Sequence, residues 1–153
     1  MADFTPRNPD YEAAIRTLFH QQPVMATFGA ALTSIAPGAV EITLPFRADL
    51  TQQNGFIHAG VLTTLADNAC GCAAYSLMPA GTDILTVEYK VNFVRPATGE
   101  RLVARGRVIR PGRTVTACSA DVFASTGDQE TLVATMLATM IALRDRAERA
   151  GGD

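Results

Sequence analysis

The residue that most suggests chemistry is Asp67, which stands alone in an apolar segment. Between Asp49 and Asp83 it is the only formally charged residue, and its neighbours are mostly Ala, Gly, Leu and Thr. An ionised carboxylate costs several kcal/mol to bury unless something compensates its charge. Asp67 therefore either lies outside the core or serves a function as an acid, a base or a nucleophile.

The start of the same segment suggests a second chemical group. If a helix begins near His58, its first backbone N–H groups have no acceptor within the helix and carry partial positive charge. Such donors stabilise a carbonyl oxygen that is acquiring negative charge, and Gly60 has no side chain to block the approach. Together with Asp67, these donors indicate acyl transfer to water.

The two groups are too far apart to act on one atom from the same chain. Asp67 lies seven residues after Gly60, which is about 10 Å along a helix axis. Catalytic contacts need roughly 3 Å. We therefore expect the two groups to come from two chains whose helices pack antiparallel, so that a two-fold dimer holds two equivalent sites.

Asp67 shares its face of the predicted helix with small residues. At about 100° per residue, that face holds Gly60, Thr63, Thr64, Gly71 and Ala74. The apolar residues that suit packing on a sheet fall mostly elsewhere: Leu62, Leu65, Ala69 and Leu77. The acid is thus predicted to face a cleft or an interface. The structural alternative is a hydrogen bond to Thr63 or Thr64.

Hydrophobic periodicity predicts two helices and six strands. The helices are predicted at about 9–20 and at 59–78, and the second is apolar on nearly every side, so it cannot face water. The strands are predicted at 26–36, 39–46, 84–94, 101–110, 114–125 and 131–143. The third strand is predicted to alternate strictly, with Thr86 on the face opposite Val91.

The order of these elements predicts an α+β fold. The last four strands have connections too short for parallel crossovers, so they are expected to pair antiparallel. The economical solution is a curved antiparallel sheet wrapped around the central apolar helix. We expect one domain over residues 1–153, with a frayed tail at about 144–153.

The segments GFIHAGVLTTLADNACG and TVEYKVNFVRPA resemble the hotdog-fold acyl-CoA thioesterases of the phenylacetate-degradation (PaaI) type. The resemblance runs from about residue 44 to the last strand. It implies that Asp67 is the nucleophile or general base. It also implies that the helix start at His58, Ala59 and Gly60 polarises the thioester carbonyl. Many members have Gly where this chain has Ala59, and Asn where it has Gln52.

Three side chains around this motif are assigned roles, two of them with an alternative. Gln52 keeps the amide chemistry of Asn, so it either orients the attacking water or only satisfies loop backbone. Thr86 is interpreted, from the resemblance, as a hydroxyl that positions this water. His58 lies at the helix entry, which favours a capping role over acid–base catalysis.

The resemblance implies an acyl-CoA substrate, whose phosphates need cationic partners. Arg95 and the hairpin pair Arg110 and Arg113 are the candidates, with solvated strand ends as the alternative. We expect the acyl pocket between the small-residue side of the central helix and the first strand region. The further substrate-binding candidates are Asn54, Gly55, Thr63, Thr64 and Asn68. Asn68 also suits an interface hydrogen bond.

Composition argues against several other classes. A formal net charge of -2 without a basic stripe, and a lack of Trp, argue against nucleic-acid binding. The three cysteines are interpreted as small buried thiols in a reducing compartment, with a reactive thiol as the less favoured alternative. The sequence shows no signal peptide or membrane span, so we expect a cytoplasmic protein without a membrane partner. His and Cys lack metal-ligand spacing, and we predict no metal and no cofactor.

Two other functions fit the same fold. A non-enzymatic acyl-CoA binder needs the pocket but not Asp67, and an acyl-thioester hydratase or dehydratase would place a catalytic His opposite an acid. Serine-hydrolase chemistry is disfavoured because the chain has no G-x-S-x-G turn. The 48% hydrophobic content and the two-chain geometry predict a homodimer. The resemblance implies a dimer of dimers, that is, a homotetramer.

Overall fold

One long helix and one antiparallel sheet form the framework of the protein. The computed structural model describes residues 4–143. The helices are α1 (Tyr11–His20), α2 (Pro23–Phe28), a 3-10 turn (Ala48–Leu50) and α3 (Ala59–Tyr75). The strands are β1 (Ala31–Ala36), β2 (Ala39–Pro45), β3 (Asp83–Phe93), β4 (Arg101–Arg110), β5 (Val115–Thr126) and β6 (Gln129–Leu143). The predicted frayed tail lies outside the described residues, and the single domain over 1–153 stays a prediction.

The sheet wraps around α3, as the sequence predicted. Its strand order is β1-β2-β4-β5-β6-β3, and every neighbouring pair is antiparallel. Leu65, Ala66 and Ala69 of α3 are fully buried against the sheet, beside Ile42 and other strand residues. The predicted α+β arrangement is confirmed, because a helix with this much apolar surface needs a concave face to cover it.

The prediction of one strand over 26–36 is wrong in its first half. Pro23 and the next five residues form α2, and β1 begins only at Ala31. Pro suits the first turn of a helix, and Gly29 ends this one with a φ of 76°, a left-handed value that favours Gly. These two end signals define a short helix where the apolar run alone suggested a strand.

The helix approaches β4 most closely at Gly106. A Cβ atom added there would lie 2.2 Å from the Ala69 carbonyl oxygen and 2.7 Å from the Cys70 nitrogen. Both atoms belong to backbone in the middle of α3, so neither moves cheaply. We expect Gly106→Ala to lower the free energy of unfolding by about 1–3 kcal/mol, the usual range for overpacking a core. Urea denaturation at neutral pH measures this change.

Gly71 provides the matched control for this prediction. It lies within α3, and an added Cβ atom would meet nothing within 4 Å. Because Gly weakens a helix interior by roughly 0.5–1 kcal/mol relative to Ala, Gly71→Ala should raise the free energy of unfolding by about that amount. Equal effects of the two substitutions would contradict the close approach at Gly106.

A β-bulge in β3 decides which of its side chains face the helix. Thr86 pairs with Met140, and Tyr89 pairs with Ala138, so Val87 is an extra residue between the two registers. Directly paired residues share a face of the sheet, and Met140 and Ala138 are both buried. The predicted strict alternation is therefore wrong, and Thr86 points to the α3 side together with Tyr89.

β3 forms one edge of the sheet and exposes apolar side chains. Among residues 4–143, β6 is the sole strand that pairs with it. Leu85, Val87, Tyr89 and Phe93 are 47–58% exposed. A long, apolar edge strand is a template for pairing with another chain. The exposed β3 edge is therefore a candidate contact between two copies of this chain.

Candidate active site

Asp67 projects from the middle of α3 towards β3. Its carboxylate oxygen Oδ1 accepts a hydrogen bond of 2.8 Å from the Thr86 hydroxyl. The Thr86 hydroxyl also lies 3.4 Å from the Met140 sulfur. The bulge at Val87 makes the contact between Asp67 and Thr86 possible, because it turns Thr86 to the helix side. The second carboxylate oxygen of Asp67 is left to face the neighbouring cavity.

Partial burial changes the protonation behaviour of Asp67. Loss of hydration raises the pKa of its carboxyl above the usual range, and the hydrogen bond from Thr86 lowers the pKa and offsets part of this effect. A carboxylate with a raised pKa is a stronger base than an ordinary Asp. The environment thus prepares Asp67 to accept a proton.

Thr63 and Thr64, the alternative hydrogen-bond partners of Asp67, donate their hydroxyl hydrogen bonds to backbone carbonyls instead. Thr63 donates to the Ala59 carbonyl at 2.9 Å, and Thr64 donates to the Gly60 carbonyl at 2.8 Å. Both hydroxyls therefore satisfy the first turn of α3 rather than the carboxylate. Gly71 lies beside Asp67 on the open face of the helix as expected, whereas Ala74 is buried.

A cavity of about 280 Å³ opens beside Asp67, and we call it the acid pocket. The residues that matter for its chemistry are Gln22, Asp67, Asn68, Gly71, Thr86 and Met140. Leu18 of α1 also lines it, whereas β1 contributes no lining residue. The first helix and its end, not the first strand, therefore close this side of the cavity.

A second cavity of about 410 Å³ lies at the beginning of α3, and we call it the helix-start pocket. Gln52, Ala59 and Arg95 line it, and it shares no lining residue with the acid pocket. The prediction that Asp67 and the helix start are separated within one chain agrees with this geometry. One thioester carbonyl therefore does not reach both groups within a single chain.

His58 is the N-cap of α3. Its Nδ1 atom accepts a hydrogen bond of 2.9 Å from the Gly60 N–H, the geometry of a capping side chain. Within residues 4–143 the Ala59 N–H has no hydrogen-bond acceptor. A carbonyl at the helix start would therefore meet the Ala59 N–H directly and compete with the exposed His58 ring for the Gly60 N–H.

The loop before the helix is held by its own hydrogen bonds. The side-chain oxygen of Gln52 accepts from the Asn54 N–H, and the Gly55 N–H donates to the Gln52 carbonyl at 2.9 Å. Gln52 lines the helix-start pocket, whereas Asn54 and Gly55 are exposed in the loop. The side-chain oxygen of Gln52 thus supports the loop, and its amide N–H groups remain for another partner.

The three candidate arginines lie at opposite ends of the molecule. Arg95 lines the helix-start pocket, and its guanidinium donates to the Leu132 carbonyl at 3.3 Å. Arg110 and Arg113 flank the turn between β4 and β5. This turn lies near the C-terminal end of α3, because the Gly38 backbone links the two: its carbonyl accepts from the Val108 N–H of β4, and its N–H donates to the Ser76 hydroxyl after α3. One chain therefore brings only Arg95 to the helix start.

The cysteines are poor nucleophiles in this structure. All three, Cys70, Cys72 and Cys118, are buried free thiols. Burial raises the pKa of Cys72 to about 12 and that of Cys118 to about 12. Because the thiolate is the reactive form, neither thiol is activated near neutral pH. The interpretation of the cysteines as small buried residues is supported.

Comparisons with known proteins agree with this fold and identify the family. The family model of the Thioesterase superfamily matches residues 54–131. A thioesterase family protein from Silicibacter pomeroyi is 48% identical, with a TM-score of 0.87 over 88% of this chain and 99% of that chain. The human acyl-coenzyme A thioesterase 13 is 29% identical over 92 residues, which are 60% of this chain and 65% of that protein.

A more distant structure shows how widely the fold is shared. The PaaI protein of the Escherichia coli phenylacetic acid degradation operon is 18% identical, with a TM-score of 0.80 over 90% of this chain and 96% of that chain. At this identity the likeness concerns the hotdog fold alone. In the part of the chain that the structure describes, no helix is long and apolar enough to cross a membrane.

Proposed function

Because the chain belongs to the thioesterase superfamily, we propose that it hydrolyses an acyl-CoA thioester to the free acid and CoA. The observation that carries this proposal is the half-buried Asp67 carboxylate, bonded to Thr86 and open to a cavity. The human relative is an acyl-coenzyme A thioesterase, which supports coenzyme A as the leaving group. The proposed substrates include aliphatic and aryl acyl-CoA thioesters.

The reaction needs a base for water, an acid for the leaving thiolate and a donor for the carbonyl oxygen. In the water-mediated route, Asp67 takes a proton from water while the water oxygen bonds to the thioester carbon. The carbon–sulfur bond then breaks, and the proton passes from Asp67 to the CoA sulfur. In the covalent route, Asp67 attacks the thioester carbon, the carbon–sulfur bond breaks, and the CoA thiolate leaves and takes a proton from solvent; water then hydrolyses the anhydride and regenerates Asp67. After a single turnover in ¹⁸O-labelled water, ¹⁸O in Asp67 would identify the covalent route with attack of water on the Asp67 carboxyl carbon, whereas a trapped acyl-enzyme would identify the covalent route with attack on the acyl carbon.

The donor for the carbonyl oxygen is proposed to come from a second chain. The Ala59 N–H, and the Gly60 N–H once His58 yields it, lie at the positive end of α3. Ala59 lines the helix-start pocket, whereas Asp67 of the same chain lines the acid pocket. Gln52 would orient the attacking water, and Arg95 would meet a CoA phosphate beside the same helix start.

The free edge of β3 supports the way in which two chains would meet. Thr86 lies near its beginning, and Phe93, which lines the helix-start pocket, lies at its end. Antiparallel pairing of two β3 strands about a two-fold axis near Tyr89 would place Thr86 close to the partner's Phe93. Asp67 would then face the helix-start pocket of the partner, and pairing would cover the exposed apolar edge.

Three finer features stay proposals. The resemblance to dimer-of-dimers enzymes supports a homotetramer, in which Arg110 and Arg113 would contact CoA from another subunit. The free buried thiols suit a reducing compartment, which supports a cytoplasmic location. Thr63, Thr64, Asn54 and Gly55 border the substrate path rather than perform chemistry, because their described hydrogen bonds serve the chain itself.

Release of free thiol from a panel of acyl-CoA thioesters tests the proposed function. The panel spans acetyl-CoA to dodecanoyl-CoA together with phenylacetyl-CoA and benzoyl-CoA, and a chromogenic thiol reagent follows CoA release. We expect at least one substrate to be hydrolysed far faster than by buffer. A panel without turnover, combined with binding of the same acyl-CoAs, would replace the enzyme with the binder.

The pH dependence of hydrolysis should respond to Thr86. Asp67 works as the carboxylate, so kcat/KM should fall as the pH falls through its pKa. Because the Thr86 hydroxyl lowers this pKa, Thr86→Val should raise the pKa and move the acid limb of the profile to higher pH. Thr86→Ser keeps the hydroxyl and should keep the acid limb in place. Identical limbs in all three proteins would contradict the proposed contact.

A further inference from the structure

The end of the acid pocket opposite Thr86 is polar, although the cavity borders the apolar core. Asn68 follows Asp67 on α3 and is only 9% exposed. Its amide nitrogen donates to the side-chain oxygen of Gln22, and its oxygen lies 3.6 Å from the Cys72 sulfur as an acceptor. Gln22 in turn donates to the Leu18 carbonyl at 3.2 Å. The two amides form a linked pair in the wall of the cavity.

Gln22 is held rigidly, so the pair is preorganised. Its backbone N–H donates to the Phe19 carbonyl at 3.2 Å, and its carbonyl accepts from the Met25 N–H at 3.1 Å. Phe19 and Met25 are buried, at 3% and 1% exposure. The side chain therefore projects from a fixed junction between α1 and α2. Polar groups fixed in this way discriminate between ligands of different shape and polarity better than groups on a mobile loop.

The hydrogen-bonding capacity of the two amides is not exhausted by these contacts. Each side-chain amide has two N–H donors, and each of these amides uses one of them on a protein acceptor in the described part of the chain. A purely alkyl group lying against them would exclude water and leave polar groups unsatisfied. A ligand oxygen at the same place would accept a hydrogen bond. Sites of this kind reject analogues that lack the polar group.

We propose that Gln22 and Asn68 determine specificity by binding an oxygen at the far end of a short acyl group, an inference that rests on the proposed function. With the thioester carbon beside Asp67, the acyl group extends over Gly71, which leaves open space, towards Gln22. The cavity of about 280 Å³ is roughly twice the size of a 150 Å³ cavity that holds benzene. It suits one ring or a short chain that ends in a hydroxyl or carbonyl group.

Matched pairs of thioesters test this inference in the full-length protein. The pairs are hexanoyl-CoA with 6-hydroxyhexanoyl-CoA, and phenylacetyl-CoA with 4-hydroxyphenylacetyl-CoA. We expect kcat/KM to be about 10-fold higher for the hydroxylated member of at least one pair, the effect of one hydrogen bond of about 1.4 kcal/mol. In Gln22→Leu and Asn68→Leu this ratio should fall to about one. The preference should be lost mainly through kcat/KM of the hydroxylated substrate.

Gln21→Leu is the control, because Gln21 precedes Gln22, is exposed and does not line the acid pocket. In this variant the ratio of kcat/KM between the hydroxylated and the unhydroxylated thioester should equal that of the unchanged protein. If Gln22→Leu slows both members of a pair equally, Gln22 only supports the fold and the inference is wrong. A ratio near one in the unchanged protein refutes it without any variant, even if Asn68→Leu does not fold. Absence of turnover with all substrates would instead refute the proposed function.

Discussion

An Asp67→Asn protein should bind acyl-CoA with nearly unchanged affinity but hydrolyse it about 100- to 10,000-fold more slowly. This range is the usual contribution of a general base. Asn has the shape of Asp and can still accept the hydrogen bond from Thr86, which is 2.8 Å from the carboxylate, but it cannot take a proton at neutral pH. Thiol release measures the rate, and calorimetry with a non-hydrolysable thioether analogue of acyl-CoA measures the affinity.

The stability of the same variant provides its control. The pKa of Asp67 is raised on folding, chiefly by loss of hydration, so the native state favours the protonated form. This stabilisation is complete below the pKa of the unfolded chain and is lost as pH rises through the pKa of the folded protein. At pH 7 the ionised group is thus unfavourable, and Asp67→Asn should raise the melting temperature. Unchanged turnover in a stable variant would contradict the proposed role of Asp67 as base or nucleophile.

The fold was largely predictable because its elements carry strong local patterns. β4 was predicted at its observed bounds, Arg101–Arg110, and α3 at its observed start, Ala59, with an end three residues beyond Tyr75. The errors concern features with weak local signals. Pro23 and Gly29 were available as helix-end signals for α2, but the helix that they bound is only six residues long. The bulge at Val87 depends on the register with β6, which a single strand does not encode.

The candidate site likewise contains residues that the sequence identifies and residues that only tertiary contacts reveal. Asp67 was identifiable because burying a lone carboxylate in an apolar helix is unfavourable, and the sequence alone shows that this acid stands in such a segment. Thr86 followed from family resemblance, since alternation in β3 assigned it to the opposite face. Gln22 was missed because its role depends on a contact with Asn68, 46 positions away in the chain. The polar end of the acid pocket is a product of tertiary packing and has no local motif.

Co-expression of two inactive variants should restore activity if each site uses two chains. Ala59→Pro removes the N–H at the first helical position, where Pro is tolerated, and the extended His58 before it (φ -62°, ψ 138°) suits a following Pro. Alone, it should lower kcat by about 100- to 1,000-fold, as loss of an oxyanion donor does. In 1:1 mixtures with Asp67→Asn, random pairing makes half of the dimers hybrids, each with one intact site. About a quarter of full activity should return.

A chain that carries both Ala59→Pro and Asp67→Asn tests the same question by loss of activity instead of restoration. Co-expressed 1:1 with the unchanged chain, it would inactivate both sites of every hybrid, because each site then lacks either the carboxylate or the N–H. Activity should fall to about a quarter of full activity, whereas independent sites would leave about half. Hybrids form through the β3 edge in this arrangement. Adding a charge there to one of the two single variants, as in Val87→Asp, should therefore abolish the restoration, and adding it to the double variant should prevent inactivation of the unchanged chain. Half of full activity with the double variant, despite proven subunit exchange, would assign the carboxylate and the N–H to one chain.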